Sequence, residues 1–158
     1  MIDTFSATAP FWATFMLALV LYRMRPGLLF FLAAFPGTLA HELAHFLVAL
    51  LLRGRPEAPK VYPVETDDGW TLGSVAFTPN WWNGSFVALA PMLLVPLTYA
   101  LYRLAEAASP LQQFAFGYIA GACLFAALPS RTDMAIAFRY PAGTLVLALI
   151  GAACWHFA

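Results

Sequence analysis

The chain has 158 residues, of which 62% are hydrophobic and 10% charged, and its 8 basic and 8 acidic side chains cancel. At a mean hydropathy of +0.75 it carries too little charge to cover a water-facing fold, where about a quarter of residues are charged. Lipid is the expected solvent. The balanced charge and the lack of a basic run exclude nucleic acid as the main partner, because that binding begins with phosphate neutralisation by clustered Lys and Arg.

The first apolar stretch, residues 5–22, is long enough to span a bilayer and is closed by Arg23, Met24, Arg25, Pro26 and Gly27, a basic stop followed by a turn signal. It reads as a retained span and not as a cleaved leader, since Asp3 and no Lys or Arg precede it. Residues 28–52 stay apolar apart from Pro36, Gly37, Thr38 and the cluster His41-Glu42-Leu43-Ala44-His45. At 1.5 Å per residue they make about 37 Å of helix against a hydrocarbon core of about 30 Å, so the helix spans with tilt. Arg53-Gly54-Arg55-Pro56 ends it.

Residues 54–84 form the one long polar segment. Asp68-Gly69 lies between β-favouring flanks, residues 60–66 and 70–78, and predicts a short hairpin. Trp81-Trp82 beside Asn83-Gly84 fits an interfacial belt where the chain re-enters lipid. A third span, 85–102, contains Pro91 and Pro96, which predict kinks or unwound backbone. A fourth covers 114–128 and a last one 142–158, while residues 130–141 fit a loop, a half-helix or an extension of the fourth span. Cys123 and Cys154, each in an apolar run, read as small core hydrophobes. The expected fold is an all-α polytopic membrane protein, one domain over 1–158, with about five transmembrane helices and a short β-hairpin in the 54–84 segment.

His41-Glu42-Leu43-Ala44-His45 is an H-E-x-x-H pattern on a predicted helix. Imidazoles at i and i+4 share one helix face at a separation suited to two ligands of one tetrahedral zinc ion. Glu42 projects beside them, where a carboxylate can act as general base toward a zinc-activated water. Shuffling this composition yields the pattern in roughly one chain in a thousand. Its depth adds weight: His41 lies about 20 Å along the helix from residue 28 and His45 about 12 Å from residue 53. Ionisable groups that deep in a span are costly and are functional by default. Two blander readings exist: polar side chains bonding between helices, and a histidine pair holding a haem, which would leave Glu42 without a role.

A catalytic zinc takes a third protein ligand and keeps a fourth position for water. Among the remaining acidic residues only Asp133 follows an apolar span in an apolar context, and His156 is the one other imidazole. Charge arithmetic favours Asp133, because Zn²⁺ with two neutral His and one carboxylate leaves a single positive charge for ionised Glu42 to offset. Ser130-Arg131-Thr132-Asp133 also matches a helix-capping pattern, so Asp133 is either ligand or cap, or both if one oxygen serves each role.

These residues resemble the site-2 protease family of intramembrane zinc metalloproteases, in which H-E-x-x-H sits on one core transmembrane helix and a later helix supplies an Asp. The resemblance covers about residues 28–140 and implies His41 and His45 as zinc ligands, Glu42 as catalytic base and Asp133 as third ligand. This chain departs from the family's later motif, which has an Asn shortly before the Pro and an Asp-Gly pair. Here Ala126-Ala127-Leu128-Pro129 and Asp133-Met134 stand in those places, with a shorter Pro-to-Asp interval. The predicted hairpin is similar to the β-segments such proteases place after the first motif, where an extended substrate could add as a strand.

The implied activity is hydrolysis of peptide bonds in or near transmembrane segments of membrane-protein substrates, with Zn²⁺ as cofactor. The chain would be an integral, multi-pass membrane protein, and its compactness suggests a bacterial inner membrane. Hydrolysis consumes water, so Pro36, Gly37, Thr38, Pro91 and Pro96 are expected where helices part to admit it. A non-proteolytic zinc-binding protein of the same fold and a small ion transporter using His41, Glu42, His45 and Asp133 are the rival readings.

Overall fold

The structure, a computed structural model, describes residues 8–21, 23, 28–66 and 69–157. Asp3, the start of the first expected span and Asp68 of the expected hairpin turn lie outside the described residues. The fold is mostly helical. Helix α1 runs over Ala9–Leu21 and α2 over Leu28–Leu51. Two short strands, β1 (Val64–Thr66) and β2 (Gly69–Thr71), pair antiparallel with Thr66 opposite Gly69. Then follow α3 (Gly84–Ala88), a 3-10 turn (Ala90–Leu93), α4 (Leu94–Ala105), α5 (Pro110–Ala126), α6 (Arg131–Arg139) and α7 (Pro141–Phe157).

Proline placement explains most breaks. Pro91 sits in the 3-10 turn that divides the expected third span, because it has no N–H for a continuing helix. Pro96 falls in the first turn of α4, where a proline is tolerated, and causes no break there. Pro36 lies inside α2, which continues through it, so the helix does not part at that point. Residues 130–141, open as a loop, half-helix or extension, are mainly α6, a helix bent by 51° from α5 across the break at Pro129. Helix α5 begins four residues before the expected span, at a capping box between Ser109 and Gln112.

Helix α5 is the hub, packed on α1, α2 and α4. Its contact with α1 is close because a Cβ at Gly117 would stand 2.1 Å from the Phe11 carbonyl oxygen, and one at Gly121 would stand 2.8 Å from that of Phe15. Glycines four apart on one face let two helices meet at backbone distance, the arrangement that gives dispersion packing its leverage when water supplies little drive. Tyr118 donates from its hydroxyl to the Ala33 carbonyl at 2.8 Å and ties α5 to α2. Helix α3 packs on α2, α6 and α7, and Ser85 Oγ donates to the Tyr140 carbonyl at the start of α7.

The chain between α2 and α3 folds back on itself. Beyond the two strands, Lys60 and Ser74 exchange both backbone hydrogen bonds, Glu57 N–H donates to Ala76, and Thr78 N–H donates to Gly54. The expected hairpin is thus present, with its strands shorter than predicted and its pairing interrupted between tip and base. Leu72 packs against Ala34 of α2 and Ala122 of α5, anchoring this segment over the helices.

Among the described residues, α2 is the single helix long and apolar enough by itself to cross a membrane, over Phe30–Leu51. Helices α5 and α6 pass the same test only as a bent pair, and Ala9–Leu21 and Ala90–Ala105 are apolar but shorter. Of the two cysteines, Cys123 is buried beside Leu94 and Ala127, and Cys154 is exposed on α7.

Candidate metal centre

One turn of α2 carries His41, Glu42 and His45, and the i, i+4 spacing sets the two imidazoles edge to face, 4.7 Å apart between ring centroids. The break between α5 and α6 brings the third member. Ser130 caps α6 by accepting from Asp133 N–H, and Asp133 Oδ2 accepts from Ser130 N–H at 2.7 Å. This reciprocal cap holds the Asp133 side chain against the turn and aims it at the histidines. Asp133 Oδ1 lies 3.3 Å from His45 Nε2, and Oδ2 lies 3.6 Å from His41 Nε2. Cap and cluster member are therefore both roles of Asp133, with Oδ2 held by the cap and Oδ1 turned to His45.

The outer face of each imidazole is pinned to a backbone carbonyl. His41 Nδ1–H donates to Ala126 and His45 Nδ1–H donates to Val87, both at 2.7 Å. A carbonyl only accepts, so Nδ1 of each ring carries a proton, and in the neutral imidazole Nε2 then presents its lone pair inward. Both carbonyls are available because of prolines. Pro91, four residues after Val87, lacks the N–H a continuing helix would offer that carbonyl, and Pro129 stops α5 just after Ala126.

The two Nε2 atoms are 3.1 Å apart, with the Asp133 carboxylate beside them. Three acceptors facing one point repel one another unless a cation lies among them, and with a carboxylate present the set suits a metal ion. His41, His45 and Asp133 thus form a cluster that could hold a metal. Among the described residues His156 is not part of it; it lies in the last turn of α7.

The cluster lines a cleft of about 500 Å³ whose opposite wall is the chain from Thr71 to Phe77. Of the residues expected where helices part, Thr38 lines the cleft and Pro36, Gly37, Pro91 and Pro96 do not; the cleft opens between α2, the hairpin segment and the α5–α6 break. Glu42 is 6% exposed and borders the same space. Among the described residues its carboxylate has no hydrogen-bond donor. It is confined instead by Gly73, where a Cβ would come within 2.7 Å of Glu42 Cγ and Oε1.

All four expected site residues converge in this cleft. Val87, Ala126 and Gly73 were not foreseen; the prolines four and three residues beyond the first two mark where helical carbonyls fall free, but not what those carbonyls bind. Comparison of the chain with protein-family models, curated proteins and solved structures found no match.

Proposed function

We propose that the protein is a polytopic intramembrane zinc metalloprotease, cutting peptide bonds in or near transmembrane segments of membrane-protein substrates. The observation that carries this reading is the convergence of His41 Nε2, His45 Nε2 and the Asp133 carboxylate in an open cleft, beside a Glu42 carboxylate that has no hydrogen-bond donor among the described residues. Donors each 2.0–2.1 Å from one zinc stand about 3.3–3.4 Å apart, and here the two imidazole nitrogens are 3.1 Å apart and Asp133 Oδ1 is 3.3 Å from His45 Nε2. His41, His45 and Asp133 would hold the ion; when bound, it supplies a Lewis acid that polarises a carbonyl and acidifies water. Glu42 accepts the proton of the attacking water and delivers it to the leaving amine, and its lack of a donor among the described residues suits both transfers.

The Thr71–Phe77 wall supports an extended peptide as substrate. Ser74 and Ala76 use their backbone groups toward Lys60 and Glu57, and among the described residues Gly73 and Val75 form no backbone bonds of that kind. A strand edge facing the cleft is a template on which an unwound substrate segment can pair. Unwinding is required because a helical peptide bond is shielded by its own hydrogen bonds.

Membrane embedding is supported by apolar side chains exposed on several helices, among them Leu17, Leu47, Leu51, Leu93, Leu145 and Leu149. Water-soluble monomers rarely expose contiguous apolar surface on this scale. Helices α1, α4, α5 and α7 would then accompany α2 across the bilayer as a bundle.

The test is metal content and proteolysis together. Purified wild-type protein should contain about one zinc per chain and should release a fragment from some member of a panel of single-span reporters in shared proteoliposomes. Glu42→Gln should keep the zinc and lose the cleavage. Cleavage by Glu42→Gln would overturn the mechanism, and bound zinc with no wild-type cleavage would favour the non-proteolytic reading.

A further inference from the structure

The metal cleft has two unlike ends. On the Asp133 side its lining includes Leu128 and Ile136, and Leu128 is exposed, so that end opens to the surroundings. The other end lies beside Glu42. Thr38, one turn before Glu42 on the same face of α2, lines it, and Gly73 stands opposite, close enough that a Cβ there would come within 2.7 Å of Glu42 Cγ. The next residue of this face is Ala34, and the cleft stops short of it: Thr38 and Leu72 are among its lining residues and Ala34 is not. Leu72 is the reason, because it packs on Ala34 of α2 and Ala122 of α5.

Leu72 is out of step with the segment that carries it. Ser74, Ala76 and Thr78 are exposed while Gly73, Val75 and Phe77 are half-buried, the alternation of an extended chain with one face on the protein. Leu72 is half-buried next to Gly73 and breaks that alternation. It fills the hollow that two small, fully buried residues, Ala34 and Ala122, leave between α2 and α5, with Phe30 packed on the same pair. The reaction fixes which part of a substrate meets this end. Glu42 hands a proton to the leaving amine, so that nitrogen lies within hydrogen-bond reach of its carboxylate, and the side chain of the residue carrying it starts two bonds further on. On the other side of Glu42 the space is taken by His41, His45 and Asp133. The room left for that side chain is over Thr38, and Leu72 closes it about 6 Å, one helical turn, before Ala34 would.

We propose that Leu72 determines specificity by restricting the substrate residue that supplies the leaving amine to a small one, such as glycine, alanine or serine, because it closes the end of the cleft beyond Thr38. A larger side chain there meets Leu72 before the amine reaches Glu42, so the size limit acts on the reacting geometry. The inference deepens the protease reading above and rests on it.

The experiment takes a single-span reporter that the wild-type full chain cuts, maps the cleaved bond by mass spectrometry, and remakes the reporter with Ala, Ser, Leu or Phe supplying the leaving amine. Wild type should cut the Ala and Ser forms about tenfold or more faster, in kcat/KM, than the Leu and Phe forms. Leu72→Ala opens the hollow over Ala34 and Ala122 and should reverse that order. Leu72→Val keeps an apolar cover on the two alanines and should bring the Leu form partway, which preserves the test if Leu72→Ala fails to fold; wild-type zinc content identifies the folded variants. Binding gives a second readout: of two succinyl hydroxamates carrying a methyl or an isobutyl group beside the amide carbonyl, titrated by calorimetry, wild type should prefer the methyl form and Leu72→Ala the isobutyl form, each by about tenfold. Equal cutting of small and large forms by wild type, or a size preference unmoved in both variants, overturns this proposal and leaves the protease reading standing. Absence of wild-type cleavage from every reporter overturns both.

Discussion

A methyl group on Gly73 would stand 2.7 Å from both Cγ and Oε1 of Glu42, so the hairpin segment is the wall that confines this carboxylate. The atoms met are the outer part of the Glu42 side chain, which can rotate, so filling the contact moves the carboxylate. Gly73→Ala should therefore displace Glu42 while leaving the histidines in place. The expected result is full zinc content with cleavage reduced about tenfold or more, which corresponds to about 1.4 kcal/mol of activation free energy. Ser74→Ala serves as control, because Ser74 bonds Lys60 through its backbone alone. Unchanged cleavage by Gly73→Ala would show that Glu42 needs no such confinement.

Asp133 has two jobs that a single substitution can separate. Asp133→Asn retains an oxygen to accept from Ser130 N–H and so keeps the cap of α6, but it removes the negative charge beside His45. Metal affinity, measured by chelator competition, should fall about a hundredfold while thermal stability changes little. Ser130→Ala should do the reverse, costing about 1 kcal/mol of stability with the metal still bound. Wild-type affinity in Asp133→Asn would remove Asp133 from the ligand set.

Pro91 leaves the Val87 carbonyl to His45. Pro91→Ala restores an N–H that can compete for that carbonyl and loosen the tautomer of His45. Metal affinity should drop about tenfold, in the range typical of partners that orient a metal-binding imidazole. An unchanged affinity, with the helix continuous, would mean the ring is oriented by its other neighbours.

The α1–α5 contact depends on backbone approach at Gly117 and Gly121. Gly121→Leu should overpack it by about 1–3 kcal/mol or more and lower the unfolding midpoint in detergent by several degrees. Zinc should remain bound in the folded fraction, because α1 contributes nothing to the cleft. Loss of metal without loss of stability would contradict this separation.

Local and compositional features were legible in the residues alone. The i, i+4 spacing of His41 and His45 puts both rings on one face of any helix they occupy, and an apolar run of this length around them makes that helix. The flanks of Asp68-Gly69 dictated a hairpin, and the prolines marked the 3-10 turn at Pro91 and the break at Pro129. Tertiary structure decided everything that joins distant segments. Asp133 is a cap by its own four-residue pattern, and only the bend between α5 and α6 brings it to His45. Carbonyls of Val87 and Ala126 carry no side-chain signature, so their hold on two imidazoles 42 and 85 residues away could not be read from residue type. Gly73 was equally silent, because a glycine announces neither the partner it admits nor the distance. Helical periodicity is repeated in every turn of the chain, whereas convergence at one point depends on how whole helices pack.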